Sequence, residues 1–403
     1  MSRPLDGIRV ADFTWVWAGP FCTLQLAHLG AEVIRVESAS RTCVTRLLPP
    51  FADGQPGVNR SGYFNQYNQG KLSLALDLKQ PAALAVAHDL VAQCDIVCEN
   101  FAAGVMDRMG LGYETLRALR PDLIMIALSG YGATGPERDF VSYGPAQVPL
   151  SGMSSLTGYA DWPPMHVGIS YGDPTGGLHG AVAVLAALWH RAETGAGQYI
   201  DLSQWETSIA VLAEGVLAQS VAGAAPPRAG NRDPIMAPHG VFRCAGEQRW
   251  VAIVARDDDD WRRLAACMGQ AQLADDSRFA SAAARKANED ALEALLGAWT
   301  RDRVAEEVVA ALQAARLPAS LAMNSRDLAE DPHLAQSGFF VERPHSEIGT
   351  KLHFGAPWRL SGTPCEVQRA APCLGEHTDE VLGRILGYAP ERIAALRAAG
   401  VLA

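Results

Sequence analysis

Asp173 stands in the run Gly172-Asp173-Pro174-Thr175-Gly176-Gly177, directly ahead of the apolar stretch Leu178 to Trp189. The pattern puts one carboxylate at the mouth of a predicted helix, with small residues around it and room for a large substrate. An aspartate with an ordinary pKa of about 3.9 is an anion at neutral pH. Such an anion attacks an activated acyl carbon without a general base, chemistry that suits thioesters and phosphoanhydrides. The same residues also describe a plain helix start, since Asp is a favoured N-cap, Pro a favoured first residue, and the helix dipole accommodates the charge. From these residues alone both readings stand.

Other candidate motifs carry less. Gly130-Tyr131-Gly132-Ala133-Thr134-Gly135 matches GxGxxG and follows a predicted strand. It precedes Pro136 and three charged residues rather than a helix, so it reads as a loop beside a ligand, not a dinucleotide site. The ten histidines show no HxxxH or HxH spacing, and the eight cysteines are scattered. Neither pattern describes a metal site or a disulfide framework. Ser129 lacks the GxSxG context of a hydrolase nucleophile. The acidic run Asp257 to Asp260 reads as a helix-start turn with a solvated face rather than a metal site.

Composition excludes several classes. The 403 residues are 48% hydrophobic and 19% charged with a net charge of -10, which disfavours nonspecific attraction to nucleic acid or anionic lipid. An anionic ligand must therefore meet a local basic cluster. The N-terminus carries no signal-peptide pattern, and the longest apolar run is too short to span a bilayer. The expected address is the cytoplasm.

Five short strand-like runs, Ile8 to Phe13, Glu32 to Glu37, Leu72 to Leu78, Asp95 to Phe101 and Leu123 to Ser129, alternate with helical patterns in the first third. This alternation predicts a parallel α/β sheet. A helix over 174–192, a strand at 198–202 and one long helix over 204–222 follow. Residues 223–239 have the Pro, Gly and Arg content of a linker. Beyond it lie a strand over 250–255, helical patterns to about 315, a strand over 317–323 and a short helix capped at Asn324-Ser325. Helices over 379–386 and 390–399 close the chain.

Pro4 to Ile8, Ala18-Gly19-Pro20, Leu29 to Glu37, Lys71 to Asp77, Glu99-Asn100-Phe101, Arg108-Met109-Gly110, Gly172-Asp173, Thr194 to Gln198 and Leu374 to Thr378 are each weak motifs. In this order and spacing the chain resembles the class III CoA-transferase (CaiB/BaiF) family over essentially its whole length. The resemblance implies an acyl-CoA:carboxylate CoA-transferase with coenzyme A as substrate and no tightly bound cofactor. It also implies a Rossmann-like large domain from residues 1–222 and 330–403, a linker and small α/β domain over 223–329, and an interlocked homodimer. Asp173 then matches the family's nucleophile, and the amides of Gly176 and Gly177 become candidate oxyanion donors. Val16, Lys71, Asn100, Phe101, Arg108 and Met109 fall along the CoA groove. Arg41 replaces a phosphate-binding arginine whose place Ser38 takes.

Trp17 and Tyr143 fall in the substrate pocket. Trp17 stands where formyl-CoA transferases carry a glutamine, and Gly144 stands where they carry an acid after the active-site tyrosine. Oxalate is therefore a poor expectation, and a more apolar acid, aromatic or a substituted dicarboxylate, a better one. The chief rival is an α-methylacyl-CoA racemase, a reading weakened because its His-Asp pair falls on Tyr143-Gly144. A noncatalytic CoA-binding subunit is the third.

Overall fold

The computed structural model describes residues 2–403. The chain divides into two compact units, one from residues 1–154, 166–224 and 333–403, the other from 155–165 and 225–332.

The larger unit opens with β1 (Arg9–Asp12), α1 (Ala18–His28), β2 (Glu32–Glu37), α2 (Gly62–Tyr67), β3 (Leu72–Ala75), α3 (Pro81–Ala92) and β4 (Ile96–Glu99). Then come α4 (Val105–Arg108), α5 (Tyr113–Leu119), β5 (Ile124–Ser129), α6 (Gly144–Leu150), α7 (Met153–Leu156), α8 (Gly172–Thr194), β6 (Tyr199–Ser203), α9 (Gln204–Ala210) and α10 (Ala213–Ala222). The six strands form one sheet in the order β3-β2-β1-β4-β5-β6, every pair parallel. Strand order reverses between β1 and β4, and in such sheets ligands bind outside the carboxyl ends of the strands at that reversal.

The strands bury both faces, as parallel strands must. Val10, Val33, Ile96, Ile124 and Ile126 point into one apolar layer with α1 and α8. Their neighbours Ala11, Ile34, Val97 and Met125 point into the other, with α3 and the C-terminal residues Val381, Leu382 and Ile393. Strand alternation thus assigns each residue its layer.

The smaller unit holds β7 (His239–Arg243), β8 (Trp250–Val254), α11 (Asp258–Cys267), α12 (Ala282–Ala287), α13 (Glu289–Thr300), α14 (Ala305–Ala314), β9 (Ala319–Leu321) and α15 (Ser325–Glu330). Its antiparallel sheet runs β7-β8-β9. The acidic run does start a helix: Asp257 accepts the Asp260 amide at 2.8 Å. Asn324 and Asp327 form a reciprocal capping box on α15. The remaining elements, α16 (Pro332–Ser337), β10 (Phe340–Arg343), β11 (Lys351–Phe354), α17 (Thr378–Glu380) and α18 (Pro390–Ala398), lie mostly in the larger unit.

Three details depart from the sequence reading. The predicted single helix over 204–222 breaks at Val211–Leu212 into α9 and α10. The third strand stops at Ala75 rather than Leu78. Residues 155–165, which no change of composition marks, belong with the smaller unit. Among the described residues, no helix is long and apolar enough to cross a membrane.

Candidate active site

A cavity of about 800 Å³ opens at the β1/β4 reversal, and Asp173 lines it together with Trp15, Val16, Arg41, Asn100, Phe101, Arg108, Met109, Tyr143 and Gly144. Asp173 is placed there by close contact between two helices. A β-carbon on Gly177 would lie 2.7 Å from the Ala18 carbonyl oxygen and 3.1 Å from the Phe21 β-carbon. Only glycine permits that approach, so the second turn of α8 sits against the first turn of α1.

Asp173 is 6% exposed. Burial pushes its pKa from an ordinary 3.8 up to about 7, while a hydrogen bond from the Ala18 amide pulls the other way. Desolvation wins because it disfavours the charged form, and one neutral donor does not replace the lost water. The expectation of a full anion at neutrality is thus corrected: the free carboxyl is divided between its two forms near pH 7. The N-cap reading also fails, since α8 begins at Gly172 behind Tyr171 and the Asp173 amide is spent on the Ser170 carbonyl at 3.0 Å.

The loop after β1 is held under strain. Val16 adopts φ +61°, a region costly for a β-branched residue. Asn100 fixes that loop from both sides, accepting the Trp15 amide at 2.6 Å and donating to the Trp15 carbonyl at 2.8 Å. Its side-chain amide is therefore committed to the backbone, although Asn100 lines the cavity as expected of a groove residue.

The predicted CoA residues separate into two groups. Val16, Arg41, Asn100, Phe101, Arg108 and Met109 line the cavity, and the Arg41 guanidinium lies 5.1 Å from the Trp15 ring centroid. Lys71 does not. It is fully buried and donates to Asp12 at 3.0 Å, Thr23 at 2.7 Å, Asn68 at 3.0 Å and the Pro20 carbonyl at 3.1 Å. Burial lowers its pKa to about 8 against the pull of Asp12. All its donors are spent inside the fold, so Lys71 is a structural cation. The exposed Lys79 lines the cavity instead, and its place just before the Pro81 helix start was the signal for it.

Gly176 and Gly177 also require correction. They are absent from the cavity wall, and as residues inside α8 their amides serve the helix ladder. A β-carbon on Gly176 would lie 3.0 Å from Gln204 Cγ; these glycines allow packing rather than offering oxyanion donors.

Trp17, expected in the substrate pocket, is not among the residues that line the cavity; it precedes Ala18 and belongs to an aromatic cluster, 5.8 Å from the Tyr63 ring and 5.0 Å from the Tyr67 ring. Burial, and after it the charge of Asp173, raises the phenol pKa of both tyrosines, that of Tyr67 to about 12. Sequence reading missed both; their i, i+4 spacing was the available signal. Tyr143, 64% exposed, lines the cavity mouth. No histidine is among the lining residues.

Comparison with known proteins agrees with this geometry. The model of CoA-transferase family III matches residues 5–378. The chain is 34% identical to a succinyl-CoA–D-citramalate CoA-transferase of Chloroflexus aurantiacus, over 99% of this chain and 98% of that protein. It is 33% identical to a formyl-CoA:oxalate CoA-transferase of Rhodopseudomonas palustris, over 100% and 98% of the two chains. The crystal structure of a CaiB/BaiF family protein from Brucella suis superposes with a TM-score of 0.89 at 31% identity, covering 96% of this chain and 100% of that one. With these matches along the whole chain, and a carboxylate buried at the reversal of a parallel sheet, the protein belongs to CoA-transferase family III and is an enzyme of the transferase class.

Proposed function

We propose that the enzyme moves coenzyme A between an acyl-CoA and a free carboxylic acid through covalent intermediates on Asp173. The observation that carries this reading is a buried carboxylate in the wall of a cavity that also holds Arg41, Lys79 and Arg108. These cations suit the phosphates of CoA, and Trp15, Phe101 and Met109 suit its adenine and pantetheine arm.

In the first step a carboxylate oxygen of Asp173 attacks the thioester carbonyl, the C–S bond breaks, and CoA leaves as the thiolate from a mixed anhydride. The thiolate then attacks the aspartyl carbonyl, releasing the donor as a carboxylate and leaving an aspartyl-CoA thioester. An acceptor carboxylate reverses the two steps and restores Asp173. No proton is consumed, and each step exchanges one activated acyl bond for another. The protein's task is to position the groups and to exclude water from the anhydride. The environment that raises the pKa of Asp173 also makes its anion more basic, and so more nucleophilic.

The racemase alternative loses support from the same wall. A racemase needs two bases about the α-carbon, yet no histidine lines the cavity and Gly144 offers no side chain. A homodimer gains support from α8, whose outer face exposes Leu178, Val182, Leu185 and Trp189, the last 74% exposed. Four apolar residues in one helical stripe call for a covering surface, which fits the interlocked pairing implied by the family. The decisive experiment traps the enzyme during turnover with hydroxylamine or borohydride and locates the label by mass spectrometry. Label on Asp173, absent in Asp173→Ala, is the expected result; an unlabelled Asp173 in an active enzyme refutes the reading.

A further inference from the structure

We propose that a second cavity, sharing only Phe101 with the one that holds Asp173, binds a primary alkylammonium ion, with Glu99, Asp107 and Ser129 accepting its N–H groups and Tyr113 and Tyr199 flanking its carbon chain. The site stands apart from the transfer chemistry and does not depend on it.

The cavity, about 310 Å³, is lined by residues of β4, β5 and β6 and of the helices α4 and α5. Alternate residues of β5, Met125, Ala127 and Ser129, face it from one side of the sheet. Glu99, at the end of β4, is 6% exposed and accepts the Phe101 amide at 2.7 Å. Ser129, at the end of β5, is 4% exposed, and its hydroxyl has no partner among the described residues. A buried hydroxyl left unpaired in a cavity wall is costly, and a ligand donor removes that cost. The Asp107 carboxylate lies over Gly112, where a β-carbon would collide with it. The rings of Tyr113 and Tyr199 meet at 5.5 Å and 39°.

The charge of this wall is one-sided. Glu99, Asp107 and Glu114 line it, and no lysine, arginine or histidine does. Exposed Glu114 has Arg117 at 3.9 Å, and Arg108 lines the first cavity; among the described residues neither Glu99 nor Asp107 has an ion-pair partner. Burial, opposed by the Phe101 amide, pushes the pKa of Glu99 up to about 8, and the charges of Asp107 and Asp201 add to the rise. Asp201 faces the site from β6 and accepts the Ala133 amide at 2.8 Å. Burial, and after it the charges of Glu99, Asp201 and Asp107, holds the Tyr199 phenol up at about 12. An ammonium ion supplies the missing counterion. As it enters, the Glu99 carboxyl gives its proton to solvent and becomes the acceptor of a charge-assisted hydrogen bond. The ion's carbon chain packs on the tyrosine faces and on Met106 and Met125. Among the described residues no three acidic, histidine or cysteine groups converge as metal ligands, so the site suits an organic cation rather than a bare metal ion.

The test is calorimetric titration of the whole chain with n-butylammonium, n-butanol and magnesium chloride in two buffers of different ionisation enthalpy. The expected result is one n-butylammonium per chain, with about one proton released at pH 7 and an affinity that rises about tenfold per pH unit up to about pH 8. n-Butanol and magnesium should bind at least tenfold more weakly. Asp107→Asn and Tyr199→Leu, both at exposed positions, should each weaken n-butylammonium tenfold or more with an unchanged circular dichroism spectrum, whereas Asp173→Asn should leave its binding intact. Loss of binding in Asp173→Asn puts the ion in the first cavity and overturns the proposal. No binding, equal binding of n-butanol or magnesium, or an affinity indifferent to pH and to both wall substitutions also overturns it.

Discussion

Gly144 lies so close to Asp173 that a β-carbon built on it would sit 1.6 Å from Asp173 Oδ2. The backbone of α6 thus forms one side of the carboxylate's niche, and any side chain there must move the nucleophile. Gly144→Ala is expected to lower kcat/KM about 100-fold, because a displacement near 1 Å at a reacting group has that effect. Steady-state kinetics and a urea melt check it: the overpacking itself should cost about 1–3 kcal/mol, so a variant with unchanged kcat/KM would mean that the niche is wider than the backbone indicates.

Asp173 links activity and stability to pH in opposite directions. The anion is the nucleophile, so kcat/KM should rise with unit slope up to about pH 7, where burial has moved this pKa. Stability should do the reverse. Between the ordinary value of 3.8 and about 7, the folded enzyme keeps a proton that the unfolded chain releases. Stability therefore falls through that window by about 1.4 kcal/mol per pH unit, to an upper figure of about 4 kcal/mol. Asp173→Asn lacks the penalty. It should be inactive, more stable than wild type at pH 8 and no more stable at pH 4. Denaturant unfolding at the two values measures the difference, and parallel profiles would contradict the raised pKa.

The two kinds of basic residue should respond differently. Arg41→Gln, Lys79→Gln and Arg108→Gln remove exposed cations from the cavity wall. Each should raise KM for acyl-CoA several-fold, less at high salt because exposed charges are screened, with melting temperature unchanged. Lys71→Met leaves the Asp12 carboxylate buried without its cation. Loss of one partner of a buried pair costs about 3–5 kcal/mol. Equal effects of all four substitutions on KM and none on stability would return Lys71 to the ligand site.

How legible these features were in the sequence depended on how local their causes were. The parallel sheet follows from the alternation of strand-like and helical runs, and the helix starts at Asp257 and Asn324 from residues two or three positions apart. Asp173 was found because its small neighbours stand beside it in the chain. Lys71 was misread because its partner Asp12 is fifty-nine residues away, and a lysine at a strand start looks like a surface cation. Gly176 and Gly177 looked like open space around a nucleophile, whereas their missing side chains are filled by α9 and α1. Tyr63 and Tyr67 stayed hidden because nothing local ties α2 to Asp173. The pKa of Asp173 was also beyond reach, since burial is a property of the whole fold.

The contact of α1 with α8 supplies the last prediction. Gly177 allows the Ala18 carbonyl and the Cys22 amide to approach what would be its β-carbon to 2.7 and 3.1 Å. Both are backbone atoms, which cannot rotate aside as a side chain does. Gly177→Ala must separate the helices, although alanine is the better helix former by about 1 kcal/mol. The clash should outweigh that gain, with a net loss of about 1–3 kcal/mol, and should carry Asp173 away from the Ala18 amide. Activity should fall with stability, whereas Gly383→Ala, where nothing lies within 4 Å of the added carbon, should lose neither. Thermal melts and kcat/KM on the two variants check it, and a Gly177→Ala enzyme as stable and active as wild type would show that the helix contact does not set the position of the nucleophile.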